Sequence, residues 1–305
     1  MPEGHSIHRL ASQLSSVFGG KRLAASSPQG RFAAGAAGLN GRVLIGADAH
    51  GKQLFVEFAD APDDSPTPPI FLRVHLGLYG AWSFGGDRSF MGASSIGAPR
   101  RVGERELDGT ADAAYSGPPD PVGAVRLRLA SDAGWADLRG PTACEVITGP
   151  ERDAVVDRLG PDPLHNDTSG DDVARFTAGV RKSASPLGLL LMNQAVIAGV
   201  GNIYRAEALF RRNLNPRLPG KSVSAAEASA LWQDIGQIMR DGVRDGRIIT
   251  TLAGDRSSKA TRVKREDAHY VYGRAGLPCR RCGTPVALAD LAARKLYWCP
   301  RCQAP

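Results

Sequence analysis

Several features that define membrane, secreted and repeat proteins are missing from this 305-residue sequence. It has no run of 18 apolar residues, so no transmembrane helix is expected. The opening MPEGHSIHRL has no charged segment followed by an apolar one, so secretion is not expected either. Internal repeats are absent. A 42% hydrophobic content fits a globular protein of two domains with an appendage, located in the cytoplasm or nucleoid.

The positive charge is concentrated near one end of the chain. The formal charge is +7, yet residues 256–302 contain eleven Lys and Arg against three Asp and Glu, so the remainder is near −1. A basic segment of this kind favours a polyanionic partner, of which phosphate backbones are the commonest. The alternative is a solvated basic tail that keeps the protein soluble.

The pattern changes from strand-like to helical near residue 160. Residues 4–18 have the spacing of an amphipathic helix, and alternating segments at 41–60, 68–84 and 124–140 read as strand pairs. Residues 85–121 are rich in Gly, Ser, Ala, Pro and Asp and read as a surface loop. We therefore predict an α+β multidomain protein with a domain at 1–150, a linker at 151–168, a helical domain at 169–270 and a cysteine module at 271–305.

Four helices are predicted in the second half, and a polar, basic loop follows them. The helices are Phe176–Lys182, Leu187–Ala198, Ile203–Arg212 and Ala225–Gly242, and the loop is Thr250–His269.

Four of the five cysteines form two CxxC pairs, CRRC and CPRC, separated by 16 residues. Two such pairs on hairpin turns bring four thiolates together tetrahedrally around one Zn²⁺, with no position left for a reactive water. A disulfide framework is the alternative, but disulfides are rare in the cytoplasm. The sequence predicts one structural zinc ion held by Cys279, Cys282, Cys299 and Cys302.

The segment AGVGNIYRAEALF joins two predicted helices. It lacks the third glycine of a dinucleotide fingerprint and the lysine of a P-loop. Gly199 and Gly201 permit a tight turn, and Asn202 is suited to cap the helix that follows. A helix start of this kind binds phosphate readily. The alternative is a plain helical hairpin in which Asn202 is a cap only.

The N-terminus offers a candidate nucleophile. Removal of Met1 leaves Pro2 with a free secondary amine, next to the carboxylate of Glu3. An α-amino group has a pKa near ~8, so a useful neutral fraction exists at physiological pH, whereas a lysine is mostly protonated.

Together, MPEG at the start, AGVGNIYRAEALF, and CxxC-x16-CxxC with RKLYWCPRCQ resemble the formamidopyrimidine-DNA glycosylase/endonuclease VIII family, and MPEGH and VHLGLYG resemble its endonuclease VIII branch as found in actinobacteria. The resemblance covers nearly the whole chain except 85–121 and 250–268. It implies an N-terminal helix on a β-sandwich, a helix–two-turn–helix domain and a zinc finger. It further implies a monomer that binds damaged double-stranded DNA between two lobes.

The resemblance also assigns site residues one by one. Pro2 is similar to the family's catalytic proline, Glu3 to its acidic partner and Lys52 to the lysine of a β-hairpin. Asn202 and Arg294 match residues that hold the phosphates flanking the damage. Further DNA-contacting candidates, which would fill the space left by an extruded base, are Leu78, Tyr79 and, by a weaker match, Arg139.

The sequence departs from the family at a few positions. Ser6 stands where a glutamate is frequent, so proton delivery in the site is in doubt. Gly188 stands where some purine-directed members have a lysine, and Asn193 stands where many members have an aspartate. Gly77 has no side chain, so it cannot help to fill the space left by an extruded base.

The implied activity is that of a bifunctional DNA glycosylase and abasic-site lyase of base excision repair. It would use a Schiff base on Pro2 and β,δ-elimination, need no cofactor beyond structural zinc, and favour oxidised pyrimidines. Two alternatives stay open: a purine-directed glycosylase acting on formamidopyrimidines and 8-oxoguanine, and a non-catalytic zinc-ribbon DNA-binding protein.

Overall fold

The structure is a computed structural model that describes residues 2–61, 68–98, 115, 117–258 and 260–304. It divides into two compact units, Met1–Asp157 and Arg158–Pro305. The boundary falls inside the predicted linker 151–168, part of which is helical. The predicted four-part division of the chain stays a prediction. Within the described ranges, no helix is long and apolar enough to cross a membrane.

Unit 1 is a β-sandwich with a long helix at its start. Its elements are α1 (Gly4–Phe18), β1 (Ala24–Ser26), α2 (Ala33–Leu39), β2 (Val43–His50), β3 (Gln53–Ala59), β4 (Ile70–His75), β5 (Ala81–Gly86), β6 (Ser95–Gly97), β7 (Val125–Ala130), β8 (Gly134–Arg139), β9 (Ala143–Thr148) and α3 (Gly149–Val156). One sheet has the order β2-β3-β4-β9 and the other β1-β7-β8-β5-β6, and neighbouring strands in both pair antiparallel. This confirms the predicted helix and sandwich.

The core of unit 1 lies under α1. Ile7, Leu10, Leu14 and Phe18 recur on one face of the helix and are fully buried against strand residues such as Trp82. Burial of each such side chain contributes about 1.5–3 kcal/mol. Ser15 adds a polar link, because its Oγ accepts from the backbone N–H of Ala47 at 2.8 Å. Helix α1 is thereby fixed across β2 and β3.

Two short helices were not predicted from the sequence. Helix α2 is made mostly of Ala and Gly and has no apolar stripe of its own. Helix α3 begins at a capping box, in which Thr148 and Glu151 bond each other's backbone N–H groups. The predicted loop at 85–121 includes β6, and residues 99–114 and 116 lie outside the described ranges.

Unit 2 contains the helical part and a terminal hairpin. Its elements are α4 (Asp171–Arg181), α5 (Leu187–Leu190), α6 (Asn202–Arg211), α7 (Ala225–Asp245), β10 (Ala287–Leu291) and β11 (Arg294–Trp298). Helix α7 packs on α4 and α6 around a core that includes Phe176 and Leu231, and a second capping box, Ser224 with Glu227, starts it. The predicted loop Thr250–His269 contains two short 3-10 turns, Ala253–Asp255 and Arg265–Asp267, and its other described residues lie outside helices and strands.

The predicted helix Leu187–Ala198 is wrong beyond Leu190. The Oδ1 of Asn193 accepts from the N–H of Ala195 at 3.0 Å, a local turn that competes with the helix. Gln194 then links the turns, since its side chain bonds the N–H of Gly199 and the carbonyls of Met192 and Val200. Apolar periodicity could not show this, because the turns are held by side-chain amides.

A buried carboxylate joins α6 to the chain that leads into the cysteine module. Glu207 is fully buried and accepts from the N–H groups of Tyr270, Val271 and Tyr272, and from the hydroxyl of Thr250. Hydrogen bonds to an ionised acceptor are roughly twice as strong as neutral ones. Glu207 therefore fixes where residues 270–272 lie on α6.

Candidate active site and nucleic-acid interface

Pro2 and Glu3 lie at the start of α1, and both are buried. Glu3 is the N-cap residue, with extended backbone at φ −120° and ψ 178°, and its carbonyl accepts from the N–H of Ser6 at 2.9 Å. The packing of α1 on β2 and β3 holds this start in place. The candidate nucleophile and acid are thus placed by the helix that anchors the sandwich.

His5 follows them and is kept neutral by its surroundings. Burial, reinforced by the positive charges of Arg9 and the N-terminus, lowers the pKa of His5 to about 3. Its Nε2 lies 3.1 Å from the Oγ of Ser6, the residue that replaces the family's frequent glutamate. A neutral His–Ser pair therefore follows Glu3, at the place where family members frequently have a second carboxyl group.

Lys52 lies in the two-residue turn between β2 and β3. Gly51, at φ +60°, allows the turn, and the next residue, Gln53, pairs with His75 on β4. The pKa of His75 is lowered, first by burial and then by the nearby ammonium of Lys52. The lysine charge therefore lies near the end of β4, where the Leu78–Tyr79 turn begins.

Leu78 and Tyr79 stand out from unit 1, with 48% and 81% of their surfaces exposed. Their turn is tied down at its base, because the N–H of Gly80 donates to the carbonyl of Leu76 at 2.9 Å and the N–H of Thr142 to that of His75 at 2.8 Å. Two large side chains exposed on a fixed turn are suited to fill the space left by an extruded base. This role of Leu78 and Tyr79 stays a prediction.

Arg139, the weaker match for a void-filling residue, is held inside the sandwich. It ends β8 with 8% of its surface exposed. Its guanidinium donates to Asp137 at 2.8 Å, to the hydroxyl of Ser83 at 3.1 Å and to the carbonyl of Val122 at 2.7 Å. Since Asp137 also holds Arg128 by two bonds, Arg139 belongs to a buried network inside the sandwich. Its contact with DNA stays a prediction.

Asn202 begins α6 but does not cap it, which corrects the sequence prediction. The cap position is Gly201, in an extended conformation, and the tight turn is made by Gly199 at φ +87°. The side-chain N–H₂ of Asn202 instead donates to the carbonyl of Lys295 on β11 at 3.0 Å. Asn202 is thus joined to the residue that follows Arg294, so the structure brings these two candidate phosphate ligands together.

Arg205 was not singled out from the sequence, although it lies within the AGVGNIYRAEALF segment. It is fully buried one turn after Asn202 and donates to the Oδ1 of Asn202 and to the carbonyl of Lys295 at 3.0 Å. Its spacing of three residues from Asn202 was the available signal. Arg205 sets the orientation of the Asn202 amide.

The β10–β11 hairpin presents Arg294 at its first position on β11, where the side chain is exposed. The turn before it consists of Ala292 and Ala293 at φ +48° and +58°. Left-handed alanines cost roughly 1–2 kcal/mol each, so this turn is strained. The aromatics of the same strand pack inward: Tyr297 on Tyr272 at 5.2 Å, and Trp298 under Arg217 at 5.6 Å.

The four predicted zinc ligands converge at the end of the chain. The Sγ atoms of Cys279, Cys282, Cys299 and Cys302 all lie within 4.8 Å of one another. Two of the separations are 3.9 and 3.5 Å, against about 3.8 Å for sulfurs at 2.3 Å around a tetrahedral Zn²⁺. The N–H of Cys302 points to the Sγ of Cys299 at 3.4 Å, as suits a thiolate. The donor set fits structural zinc.

Comparisons with known proteins agree with these features. A sequence model of the formamidopyrimidine-DNA glycosylase H2TH domain matches residues 159–253, and one of the zinc finger found in FPG and IleRS matches 276–305. Endonuclease 8 1 of Mycobacterium tuberculosis (strain ATCC 25618 / H37Rv) is 41% identical over 304 residues, which cover 99% of this chain and 100% of that protein. The chain belongs to the formamidopyrimidine-DNA glycosylase/endonuclease VIII family.

Solved structures of the family share the fold. The MutM (Fpg) protein of Thermus thermophilus matches with a TM-score of 0.69 and 26% identity, covering 99% of this chain and 98% of that one. A Lactococcus lactis FPG mutant, solved with DNA containing Fapy-dG, matches over the full length of both chains with a TM-score of 0.71 and 21% identity.

As a member of this family, the chain is a DNA glycosylase with lyase activity at abasic sites, an enzyme of base excision repair. The alternative of a non-catalytic zinc-ribbon protein is thereby set aside. The zinc finger match and the four-cysteine cluster agree on a structural zinc site, whereas the number of ions stays a prediction.

Proposed function

We propose that the protein removes oxidised bases, preferentially pyrimidines, from double-stranded DNA through a Schiff base on Pro2, and then cleaves the strand by β,δ-elimination. Its proposed working form is a monomer with one zinc ion in the bacterial cytoplasm. The observation that supports this most directly is the buried Pro2–Glu3 pair at the start of α1, the helix that packs on the hairpin bearing Lys52.

The first proposed step is extrusion of the damaged nucleotide. A base inside the stack cannot be attacked, so the nucleotide must be flipped out, at a cost on the order of a few kcal/mol. Leu78 and Tyr79 are proposed to fill the gap, since they are exposed on a fixed turn. Asn202, oriented by Arg205, and Arg294 are proposed to hold the flanking phosphates.

The second step is displacement of the base. The neutral amine of Pro2 attacks C1′, forming an N–C1′ bond as the bond to the base breaks and the base leaves with the electron pair. The proton that the Pro2 nitrogen carries is then lost and the departing base takes up a proton, so a neutral aminal remains at C1′. Glu3 supplies a proton to the sugar ring oxygen, which opens the ring and leaves an iminium. Because burial lowers the pKa of His5 to about 3 and also lowers the pKa of His75, both imidazoles are weak bases, and carboxyl and lysine groups are expected to move the protons.

The third step is strand cleavage. The iminium acidifies C2′, so loss of a C2′ proton expels the 3′ phosphate. A second proton loss then expels the 5′ phosphate, and water releases Pro2. The product is a one-nucleotide gap with phosphates at both ends. Lys52, in the turn between β2 and β3, is proposed to stabilise the negative charge of the departing phosphate groups.

A purine-directed activity is the second candidate, because a relative of the same fold is named MutM (Fpg). We favour pyrimidines because the HLGLYG segment resembles the endonuclease VIII branch and because the full-length relative is named Endonuclease 8 1. Initial rates of excision of thymine glycol and of 8-oxoguanine from matched duplexes separate the two.

Borohydride trapping tests the mechanism. Reduction during reaction with a thymine glycol or abasic duplex is expected to yield a covalent adduct that mass spectrometry maps to Pro2. A matched variant with one extra glycine before Pro2 keeps the fold and is expected to give none. Both proteins should bind a duplex containing the uncleavable tetrahydrofuran abasic analogue. An adduct on another residue, or an unchanged yield in the extended variant, contradicts the proposal.

A further inference from the structure

A single backbone carbonyl in unit 2 connects the two candidate phosphate ligands, Asn202 and Arg294. The carbonyl of Lys295, the residue that follows Arg294 on β11, accepts from the side-chain N–H₂ of Asn202 at 3.0 Å and from Nη2 of Arg205, also at 3.0 Å. A carbonyl oxygen has two lone pairs, so these two bonds use both of them. The peptide next to Arg294 is therefore fixed to the start of α6.

Arg205 stands at the centre of this arrangement. It is fully buried, and besides Lys295 it bonds Oδ1 of Asn202 and the carbonyl of Gly188 in α5, the latter at 3.4 Å. One guanidinium thus links three segments that are far apart in the chain, namely α5, α6 and β11. The rigid planar fork of arginine can hold several oxygens in fixed directions, whereas the ammonium of lysine is a single point of charge.

These bonds also decide which end of the Asn202 amide is available to a ligand. The amide has one oxygen, which Arg205 holds, and two N–H donors, of which the Lys295 carbonyl takes one. A flipped amide would place its oxygen against the Lys295 carbonyl and its N–H₂ against the guanidinium, and both contacts would repel. The remaining group of Asn202 is therefore an N–H donor, which is the kind of group that binds a phosphate oxygen.

The tip of the β10–β11 hairpin packs against the same part of unit 2. Leu291, which pairs with Arg294 across the turn, lies close to α5, because a Cβ added to Gly188 would be 3.3 Å from its Cδ2. The turn between the two strands has a strained left-handed backbone. The position of the tip, and with it that of Arg294, therefore depends on the contacts at Leu291 and Lys295.

We propose that Arg205 makes Asn202 and Arg294 a single cooperative phosphate-binding unit. Arg205 is a positioning residue: it orders the amide of Asn202 and the strand of Arg294 before DNA arrives, which reduces the entropy lost on binding. Loss of Arg205 weakens both phosphate contacts together. The inference rests on the proposed contacts of Asn202 and Arg294 with DNA, and it goes beyond them by making the two contacts interdependent.

Substitutions at Asn202 test the orientation of its amide while Arg205 stays in place. Asn202→Asp keeps an acceptor for the guanidinium but has no donor, and its negative charge repels phosphate. Relative to Asn202→Ala, it is expected to bind a duplex containing the uncleavable tetrahydrofuran abasic analogue at least about threefold more weakly. It should nevertheless melt at a higher temperature than Asn202→Ala, because the carboxylate pairs with buried Arg205. If Asn202→Asp binds this duplex as tightly as the unmodified protein, the proposal is overturned.

A mutant cycle tests whether Arg205 acts through the two ligands. Arg205→Gln is expected to weaken binding of the same duplex, measured by anisotropy, by about tenfold, a difference of about 1.4 kcal/mol. In the Asn202→Ala/Arg294→Gln protein the same change should cost less than about twofold, because both contacts that Arg205 positions are already gone. Arg205→Lys keeps one donor and should restore part of the affinity. A tenfold cost in both backgrounds would mean that Arg205 acts on DNA binding by another route, and would overturn the proposal.

The interdependence of the two ligands is measured in the same cycle. Asn202→Ala also releases the Lys295 carbonyl, so part of its effect is a displaced Arg294. The double variant Asn202→Ala/Arg294→Gln should therefore bind more tightly than the product of the two single effects requires, and this difference should vanish when Arg205→Gln is present.

Two controls accompany the cycle. Arg175→Gln removes the same charge from unit 2 at an exposed site on α4, where Arg175 pairs with Asp172 at 3.5 Å, and should change the affinity by less than about twofold. Lys52→Gln, in unit 1, should have the same effect with and without Arg205→Gln, because independent sites are additive. Thermal melts verify folding, and if Arg205→Gln does not fold, the comparison of Asn202→Asp with Asn202→Ala still decides.

The outcomes separate this inference from the proposed function. If the single variants at 202 and 294 bind as tightly as the unmodified protein, the proposed phosphate contacts fail and the coupling fails with them. If both variants weaken binding but their effects simply multiply, the contacts stand and the role of Arg205 is overturned. The tetrahydrofuran duplex is not cleaved, so the Pro2 chemistry is reported separately by the borohydride adduct of the unmodified protein.

Discussion

At the scale of single residues, one glycine decides how the candidate wedge turn is built. Gly77 has φ +64°, and a Cβ at this position would lie 1.9 Å from the Oγ1 of Thr142. Its N–H also donates to the Nδ1 of His75 at 3.2 Å. From the sequence, Gly77 was only a position without a side chain to fill the gap in the DNA. The structure shows that glycine is favoured there, because Thr142 lies so close.

We predict that Gly77→Ala lowers the free energy of unfolding by more than Gly20→Ala. Gly20 also has a positive φ, +73°, but nothing lies within 4 Å of its added Cβ. The left-handed backbone alone costs about 1–2 kcal/mol, and overpacking adds about 1–3 kcal/mol at residue 77. Urea unfolding of both variants measures the difference, and equal losses would show that Thr142 moves aside freely.

At the scale of elements, the turn between β10 and β11 is the part of the candidate DNA-binding surface whose conformation is least expected from its own sequence. Hairpin turns with two positive φ values favour Asn-Gly, because these residues adopt the left-handed region at low cost. Here both positions are alanine, next to the exposed Arg294. Strain of this kind collects at functional sites, and the position agrees with the proposed phosphate contact of Arg294.

Ala292→Asn/Ala293→Gly is expected to raise the stability of unit 2 by about 1–2 kcal/mol, since it relieves the left-handed alanines. The matched substitution Ala287→Gly, on extended β10, should instead lower stability by roughly 0.5–1 kcal/mol. Chemical denaturation followed by hydrogen exchange in residues 287–298 measures both. A loss of stability in the first variant would mean that the alanine methyl groups make contacts worth more than the strain.

At the scale of the whole molecule, each unit has its own hydrophobic core. The sandwich core lies in residues 7–146, while Phe210 and Tyr270 share a small core with Cys279 and Cys299 in unit 2. Gln303 connects the cysteine module to the helices, because its side chain bonds the N–H of Cys299 and the carbonyl of Leu214, both at 2.9 Å. The metal site should therefore stabilise unit 2 alone.

Chelation of zinc is expected to unfold residues 276–304 and to leave unit 1 unchanged. Structural zinc contributes about 10–16 kcal/mol in zinc-finger peptides, far more than so short a segment gains from burial. Elemental analysis should give one zinc per chain, and hydrogen exchange after chelation should show loss of protection at 276–304 with retention in β3 and β4. Unchanged protection at the cysteine module would contradict a structural role for the metal, and added zinc should restore it.

The sequence by itself determined the features that depend on local pattern. Apolar spacing gave α1, α6 and α7, alternation gave the strand pairs, and the cysteine spacing gave the zinc ligands, because each signal is carried by residues close in the chain. The motifs at the two ends and in the helical part together identified the family, which the full-length relative confirms.

Only the tertiary structure decided features that depend on distant partners. The sequence could not show that Asn202 bonds Lys295 rather than its own helix, that Arg139 is held by Asp137, Ser83 and Val122, or that the turn at Asn193 ends α5 early. Hydrogen-bonding groups are satisfied in three dimensions, so a polar residue's role is fixed by which partners the fold supplies.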